Sequence, residues 1–236
     1  LIRALTALAV LLLLPGCGGQ KPVQPAKPAS EVAAKAPETT ATSTAPAPEE
    51  SPAPEQAAST EVKGMLKDQL DASKLPENLF VTIKVKDYGT MKVRFYTKEA
   101  PKNVANVANL AIKGFYNGLT FHRIIPGFVV QGGDPKGDGT GGPGYTIPAE
   151  IKMQHTKGAM AMARTGDQYN PKRESSGSQF YLCLQPLPQL DAGGYTVIGQ
   201  LVEGMDVLDK LGQVQTGAMD RPVKPVVMEQ VFVTTR

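Results

Sequence analysis

Phe121-His122-Arg123-Ile124-Ile125-Pro126-Gly127-Phe128-Val129-Val130-Gln131-Gly132-Gly133-Asp134 is the stretch on which the fold turns. β-Branched and aromatic residues over 120–125 predict a strand, Pro126-Gly127 is a turn dipeptide, and residues 128–131 resume a strand. Gly132-Gly133-Asp134-Pro135 then stops it. The run places a cation, Arg123, among apolar residues. Burying an unpaired cation is expensive. Arg123 therefore either carries its head to water along an apolar stem or stands at the edge of an apolar pocket, where it meets an acceptor.

Outward from this run the pattern stays β-rich. Residues 80–86 alternate apolar and polar, Tyr88-Gly89-Thr90 turns the chain, and residues 91–95 alternate again, which reads as a hairpin. Pro101 suits a helix start, Val104, Ala108, Ala111 and Ile112 recur at helical spacing, and Gly114 is placed to end that helix in the left-handed conformation. Its apolar face reads as a plug for a barrel end. Residues 159–163 and 179–184 predict two strands joined by the polar loop 164–178, and residues 195–202 another. Met205, Leu208 and Leu211 mark a second short helix that stops at Gly212, and residues 224–234 a closing strand. Many short strands with two helices and no βαβ alternation predict a mainly β chain, closed or nearly closed as an antiparallel barrel. Residues 137–142 satisfy GxGxxG in form, but dinucleotide binding needs a helix directly after it, and Pro143-Gly144 precludes one. A flexible loop beside a groove is the better reading.

The 236 residues leave room for one sizeable domain and extras, and a formal charge of +3 with no basic stripe gives no footprint for nucleic acid. His122 and His155 lack cysteine partners at zinc-site intervals, so no metal is expected. Residues 1–14 are apolar apart from Arg3 and end in Leu14-Pro15-Gly16-Cys17. The run is too short to span a bilayer and has the flanks of a signal peptide. Its ending resembles a bacterial lipoprotein signal, which implies a leader over 1–17, lipidation of Cys17, and a chain held outside the cytoplasm on a membrane. That leaves Cys183 alone and predicts no intramolecular disulfide. Residues 18–62 are rich in Pro, Ala, Glu, Lys and Thr, cannot bury enough apolar surface to offset ordering entropy, and read as a disordered, semi-rigid tether. Val62, Met65, Leu66 and Leu70 fall roughly on one face of a helical pattern over 60–75, so a short lead-in helix is placed at 63–76, and the globular domain occupies 77–236.

The run 121–134 resembles, nearly residue for residue, the signature of the cyclophilin family of peptidyl-prolyl cis-trans isomerases. The resemblance continues through Gly139-Thr140-Gly141-Gly142, Gly158-Ala159-Met160-Ala161-Met162-Ala163, Gly177-Ser178-Gln179-Phe180, Tyr195-Thr196-Val197-Ile198-Gly199 and Val202-Glu203-Gly204-Met205-Asp206. It implies a cyclophilin-like eight-stranded antiparallel β-barrel capped by a helix at each end, and a cofactor-independent isomerase acting on proline-containing polypeptides; a monomer is the default expectation for such a barrel on a tether. The X–Pro bond turns over tens to hundreds of seconds against a barrier of roughly 18–20 kcal/mol. Lowering it calls for no nucleophile, proton relay or metal, only an apolar grip on the proline ring and donors that favour the twisted imide.

By the resemblance Arg123 donates to the twisted imide, Phe128 belongs with it at the catalytic centre, and Gln131 holds Arg123 and the peptide. Phe128, Val129, Met162, Tyr181 and Leu190 form the proline pocket. The main chain of Ala163 and Arg164 hydrogen-bonds the substrate, Gln179 lines the groove, and His122 and Tyr195 adjoin it. Several positions depart from the best-known eukaryotic pattern: Val129 for Met, Arg164 for Asn, Tyr181 for Phe and Tyr195 for His. Gln189 takes the place of a Trp that contacts cyclosporin, so weak cyclosporin binding is expected. The rival reading is a non-catalytic module or holdase that only binds proline-containing segments, and the joint presence of Arg123, Phe128 and Gln131 favours the enzyme. A nucleotide-binding protein built on the glycine loop is the weakest of the three.

Overall fold

A computed structural model describes residues 64–236. The leader over 1–17, with Cys17, and the tether over 18–62 lie outside the described residues. Alternation of apolar and polar side chains builds β1 (Phe80–Val85) and β2 (Gly89–Phe95), whose inward residues Val81, Ile83, Met91 and Val93 are fully buried. Helix α1 (Pro101–Ile112) follows. Pro101 occupies the first turn, where its missing N–H costs nothing. Ala100 supplies no side-chain cap; instead the Glu150 carboxylate accepts from the N–H groups of Lys102 (3.2 Å) and Asn103 (3.0 Å), placing an anion at the positive end of the helix. Gly114, at φ +73°, ends it as expected.

The remaining strands are β3 (Arg123–Ile125), β4 (Val129–Gly132), β5 (Thr146–Ile147), β6 (Ala159–Met162), β7 (Ser175–Ser176), β8 (Phe180–Cys183), β9 (Val197–Glu203) and β10 (Met228–Thr234). Eight of them form one antiparallel sheet in the order β10-β1-β2-β9-β6-β8-β4-β3, while β5 and β7 pair separately. The two ends of the sheet curl together. Gly118 N–H donates to Met228 O (2.8 Å), Met228 N–H to Leu119 O (2.8 Å) and Phe121 N–H to Val226 O (2.9 Å), with Thr120 bridged to Val227. This is the expected eight-stranded barrel. Helix α3 (Met205–Leu211) and α1 both contribute to its core, through Val207, Leu208 and Leu211 and through Val104, Val107, Ala108 and Ala111.

Two features differ from the sequence expectation. A further helix, α2 (Pro188–Gly193), is six residues long and buries none of them, so it left no periodic signal to read. Residues 64–75 form no α-helix. Leu66 N–H bonds Val233 O (2.8 Å) and Met65 is bridged to Thr234, so the segment runs along the end of β10 before a single 3-10 turn at Ala72–Lys74. Unpaired main-chain groups at a strand edge, together with the Asn109 amide clasping both main-chain groups of Leu70 (2.7 and 2.9 Å), outweigh a weak helical period. The segment packs on the domain through Leu66, Leu70 and Leu75.

Candidate active site

Strand pairing lays out the site. Across β3, β4, β8, β6 and β9 the register runs Arg123↔Gln131, Gln131↔Tyr181, Tyr181↔Ala161 and Ala161↔Val197. Directly opposed residues share a face, so these five side chains form one row across the outside of the barrel. The residues between them point inward, into the main core: Met160 and Met162 on β6, Phe180 and Leu182 on β8, Ile124 on β3. Outside, a second apolar cluster holds Val129, Ala159, Ala161, Tyr181, Cys183, Leu187 and Val197, with Phe128, Ala163, Leu190 and Tyr195 half-buried against it. The Ala-Met-Ala-Met-Ala pattern of 159–163 thus has a reason. Methionines fill the barrel, and alanines leave room outside for the Tyr181 ring. Gly127, at φ +68°, makes the tight turn that presents Phe128 beside this cluster.

The other end of the row is polar. Arg123 Nη1 donates to Gln131 Oε1 (3.3 Å), and Gln131 Nε2 to Gln179 Oε1 (3.1 Å). Gln179 Nε2 in turn donates to the carbonyls of Gly139 (3.0 Å) and Gly141 (2.8 Å). Arg123 Nε is ion-paired with Asp220 (3.3 Å), which lies in a turn where Met219 and Asp220 both take φ +58°. The glycine loop is pinned: the Asp134 carboxylate accepts from the N–H groups of Lys136, Asp138 and Gly139, and a Cβ at Gly141 would overlap it. The expected flexible loop is therefore a fastened one. Beside the row lies a cleft of about 820 Å³, lined among others by Gln131, Ala163, Arg164, Gln179 and the glycines 139, 141 and 142.

The structure brings Arg123, Phe128, Val129, Gln131, Tyr181, Leu190 and Tyr195 to one outer face. Met162 does not join them. It is fully buried in the barrel interior, because its parity on β6 is that of Met160, and it cannot reach a proline in the groove. The Ala163 main chain is also committed, its N–H to Gln179 O (3.0 Å) and its C=O to Ser176 N–H (2.7 Å). The Arg164 side chain turns away. Its guanidinium covers the Tyr195 ring at 4.4 Å, pairs with Asp167 (2.6 Å) and donates to the Gly193 carbonyl. Gln179 lines the cleft, but its amide is spent on the glycine loop. His122 is buried behind Arg123, and neither ring nitrogen has a hydrogen-bond partner among the described residues. Sequence reasoning missed Asp220, His155 and Asp191. Each acts on a residue distant in the chain, and no local pattern marks them.

Residues 80–233 match the family described as cyclophilin type peptidyl-prolyl cis-trans isomerase/CLD. The chain belongs to the cyclophilin family of peptidyl-prolyl cis-trans isomerases. Among its relatives, a peptidyl-prolyl cis-trans isomerase of Helicobacter pylori is 43% identical over 150 residues, spanning 61% of this cyclophilin and 87% of that protein. Peptidyl-prolyl cis-trans isomerase B of Bacillus subtilis is 45% identical over 125 residues, 52% of this chain and 82% of its own. A crystal structure of a Cryptosporidium parvum cyclophilin, determined in the presence of the dipeptide Ala-Pro, superposes with a TM-score of 0.61 at 29% identity, covering 66% of this chain and 99% of that one.

Burial lowers the pKa of both histidines of this cyclophilin. For His155 the hydrogen bond it donates to Asp191 opposes the shift, and for His122 the charge of Asp134 does. A histidine whose folded value is depressed stays neutral in the native state while the unfolded chain takes up a proton near pH 6.5. Stability is therefore complete above pH 6.5 and falls as the pH drops from there towards the folded values. The slope is bounded by about 1.4 kcal/mol per pH unit for each histidine. Thermal melts at pH 7.5, 6.5 and 5.5 test this: the midpoint should fall below pH 6.5, and His122→Gln should flatten the fall. A midpoint insensitive to pH over this range would contradict the assignment.

Proposed function

We propose that this cyclophilin turns X–Pro bonds of exported polypeptides at the row running from Arg123 to Tyr181, while a lipidated Cys17 and the tether 18–62 hold it at a bacterial membrane surface. The observation that carries the catalytic part is the meeting of a cation with an apolar wall. Arg123 stands at one end of a cross-strand row, and Tyr181, with Val129, Phe128 and Leu190 about it, lies two places along. The proline ring settles against that wall. As the imide twists, the C–N bond loses double-bond character and its nitrogen becomes a better acceptor, and the guanidinium donates to it. Gln131 and Asp220 hold the guanidinium for that step without themselves meeting the reacting bond. Stabilisation that grows with the twist lowers the barrier, whereas equal attraction for planar and twisted forms would not.

Slow proline isomerisation limits folding on the scale of tens of seconds, so an enzyme beside emerging exported chains assists them. The Leu-x-Gly-Cys leader and the Pro-rich tether support the surface placement. The test expresses the full chain in a bacterium, assays the membrane fraction for acceleration on an Ala-Pro tetrapeptide, and repeats with Cys17→Ala. Activity should leave the membrane fraction in the variant; unchanged fractionation would sink the anchor, and an inactive wild type the isomerase site. Gln189 is exposed on α2, where the resemblance puts a cyclosporin-contacting Trp, so cyclosporin should inhibit weakly. A nanomolar inhibition constant in a titration of activity would refute that.

A further inference from the structure

Tyr181 brings a hydroxyl into a site where the better-known relatives carry a plain ring, and the residue is only 5% exposed. A buried hydroxyl is costly to leave without a partner. The partner is His155, whose Nε2 lies 2.9 Å from the Tyr181 oxygen, with the two rings inclined by only 12°. The imidazole is itself fixed. Asp191 Oδ1 accepts from His155 Nδ1 (2.6 Å) and from the His155 main-chain N–H (2.8 Å). A carboxylate only accepts, so Nδ1 carries the proton and Nε2 presents a lone pair to the phenol. Asp191 follows Leu190 on α2, so one short helix offers Leu190 to the pocket and Asp191 to the imidazole.

The surroundings close the cluster. Tyr195 stands edge-on to His155 (6.4 Å) and to Tyr181 (6.2 Å), and Arg164, paired with Asp167, covers the Tyr195 ring. Cys183 adds an uncharged thiol, its pKa pushed up to about 12 by burial. Three departures from the eukaryotic pattern, Arg164, Tyr181 and Tyr195, are thus parts of one interlocked wall.

We propose that His155 and Asp191 are positioning residues of the isomerase: the Asp191–His155 pair holds the Tyr181 ring by its hydroxyl and fixes the wall that grips the proline ring. This rests on the reading of the Tyr181 face as the proline pocket. The pair touches no substrate; it acts through Tyr181.

The test is a double-mutant cycle on the full chain, reading kcat/KM with an Ala-Pro tetrapeptide for wild type, His155→Asn, Tyr181→Phe and the double variant. Asparagine keeps a group near Nδ1 for Asp191 but offers nothing at Nε2. The expected loss is about tenfold for His155→Asn in the wild-type background and less than twofold in the Tyr181→Phe background. His155→Gln, whose longer amide reaches the Nε2 position, should recover most of the loss. If His155→Asn does not fold, Asp191→Asn replaces it in the same cycle, since the Asp191 side chain is 30% exposed. Equal losses in both backgrounds would show a purely structural role and overturn the proposal. An inactive wild type would instead remove the pocket reading on which it rests, so the two failures are told apart by the wild-type rate.

Discussion

Replacing Arg123 with alanine is expected to lower kcat/KM on an X–Pro peptide by about 10²–10³-fold, the cost of removing one preorganised donor aimed at the transition state. The fold should survive. The Arg123 side chain is 39% exposed and that of Asp220 46%, so the ion pair between them is a surface pair worth about 0–1 kcal/mol to stability. Activity and stability therefore part company at this position, and circular dichroism beside the isomerisation rate reads both. Arg123→Lys sharpens the test. It keeps a positive charge but loses the planar fork that meets Asp220 through Nε and Gln131 through Nη1 together. A lysine variant with full activity would mean that charge alone suffices; an alanine variant with full activity would move catalysis away from this row altogether.

Phe180→Ala should cost about 3–5 kcal/mol of folding stability, the range for emptying a buried aromatic site. Phe180 is 1% exposed and meets two other rings edge-on inside the barrel, Tyr116 at 5.6 Å and Phe121 at 6.2 Å. Tyr116 is tied by its hydroxyl to Ser178 O (3.1 Å) and cannot swing in to fill the void. For a domain of this size each kcal/mol is worth about 2–4 °C in Tm, so the midpoint should fall by about 6–20 °C. Urea denaturation with an unchanged m-value checks the free energy directly, and a loss under 1 kcal/mol would mean that the core relaxes around the gap. Phe180 and Tyr181 are neighbours on β8 that face opposite ways. The expected effects at 180 and 181 accordingly differ in kind, stability for the inward ring and turnover for the outward one.

Much of this was legible in the chain. Alternation in 80–86 and 91–95 located the first hairpin, Pro101 and Gly114 bracketed α1, and the run from Phe121 to Asp134 carried both the strand–turn–strand and the pairing of Arg123 with Gln131. The errors have physical causes. The resemblance puts Met162 in the pocket, and period 2 along the strand does not correct it, since alternation says that neighbours oppose each other but not which parity faces in. That is decided by the register of β6 against β8, a tertiary fact. The lead-in helix lost to a strand edge that exists only once β10 is in place. Asp220 and Arg123 are 97 residues apart in sequence and His155 and Asp191 are 36 apart, and nothing in either neighbourhood announces the partner. The outer row was readable as a set of residue types, and its second rank was not.

The stitching of residues 118–121 to the start of β10, and of residues 65–66 to its end, bears on the company this protein keeps. An unfolded chain carries unsatisfied amide and carbonyl groups that dock on any bare sheet margin and seed aggregates. Here β10 meets its own chain along both stretches. A polypeptide arriving along these stretches finds no free ladder to extend. Closure of the sheet thus lets the barrel meet other chains without adding them as strands.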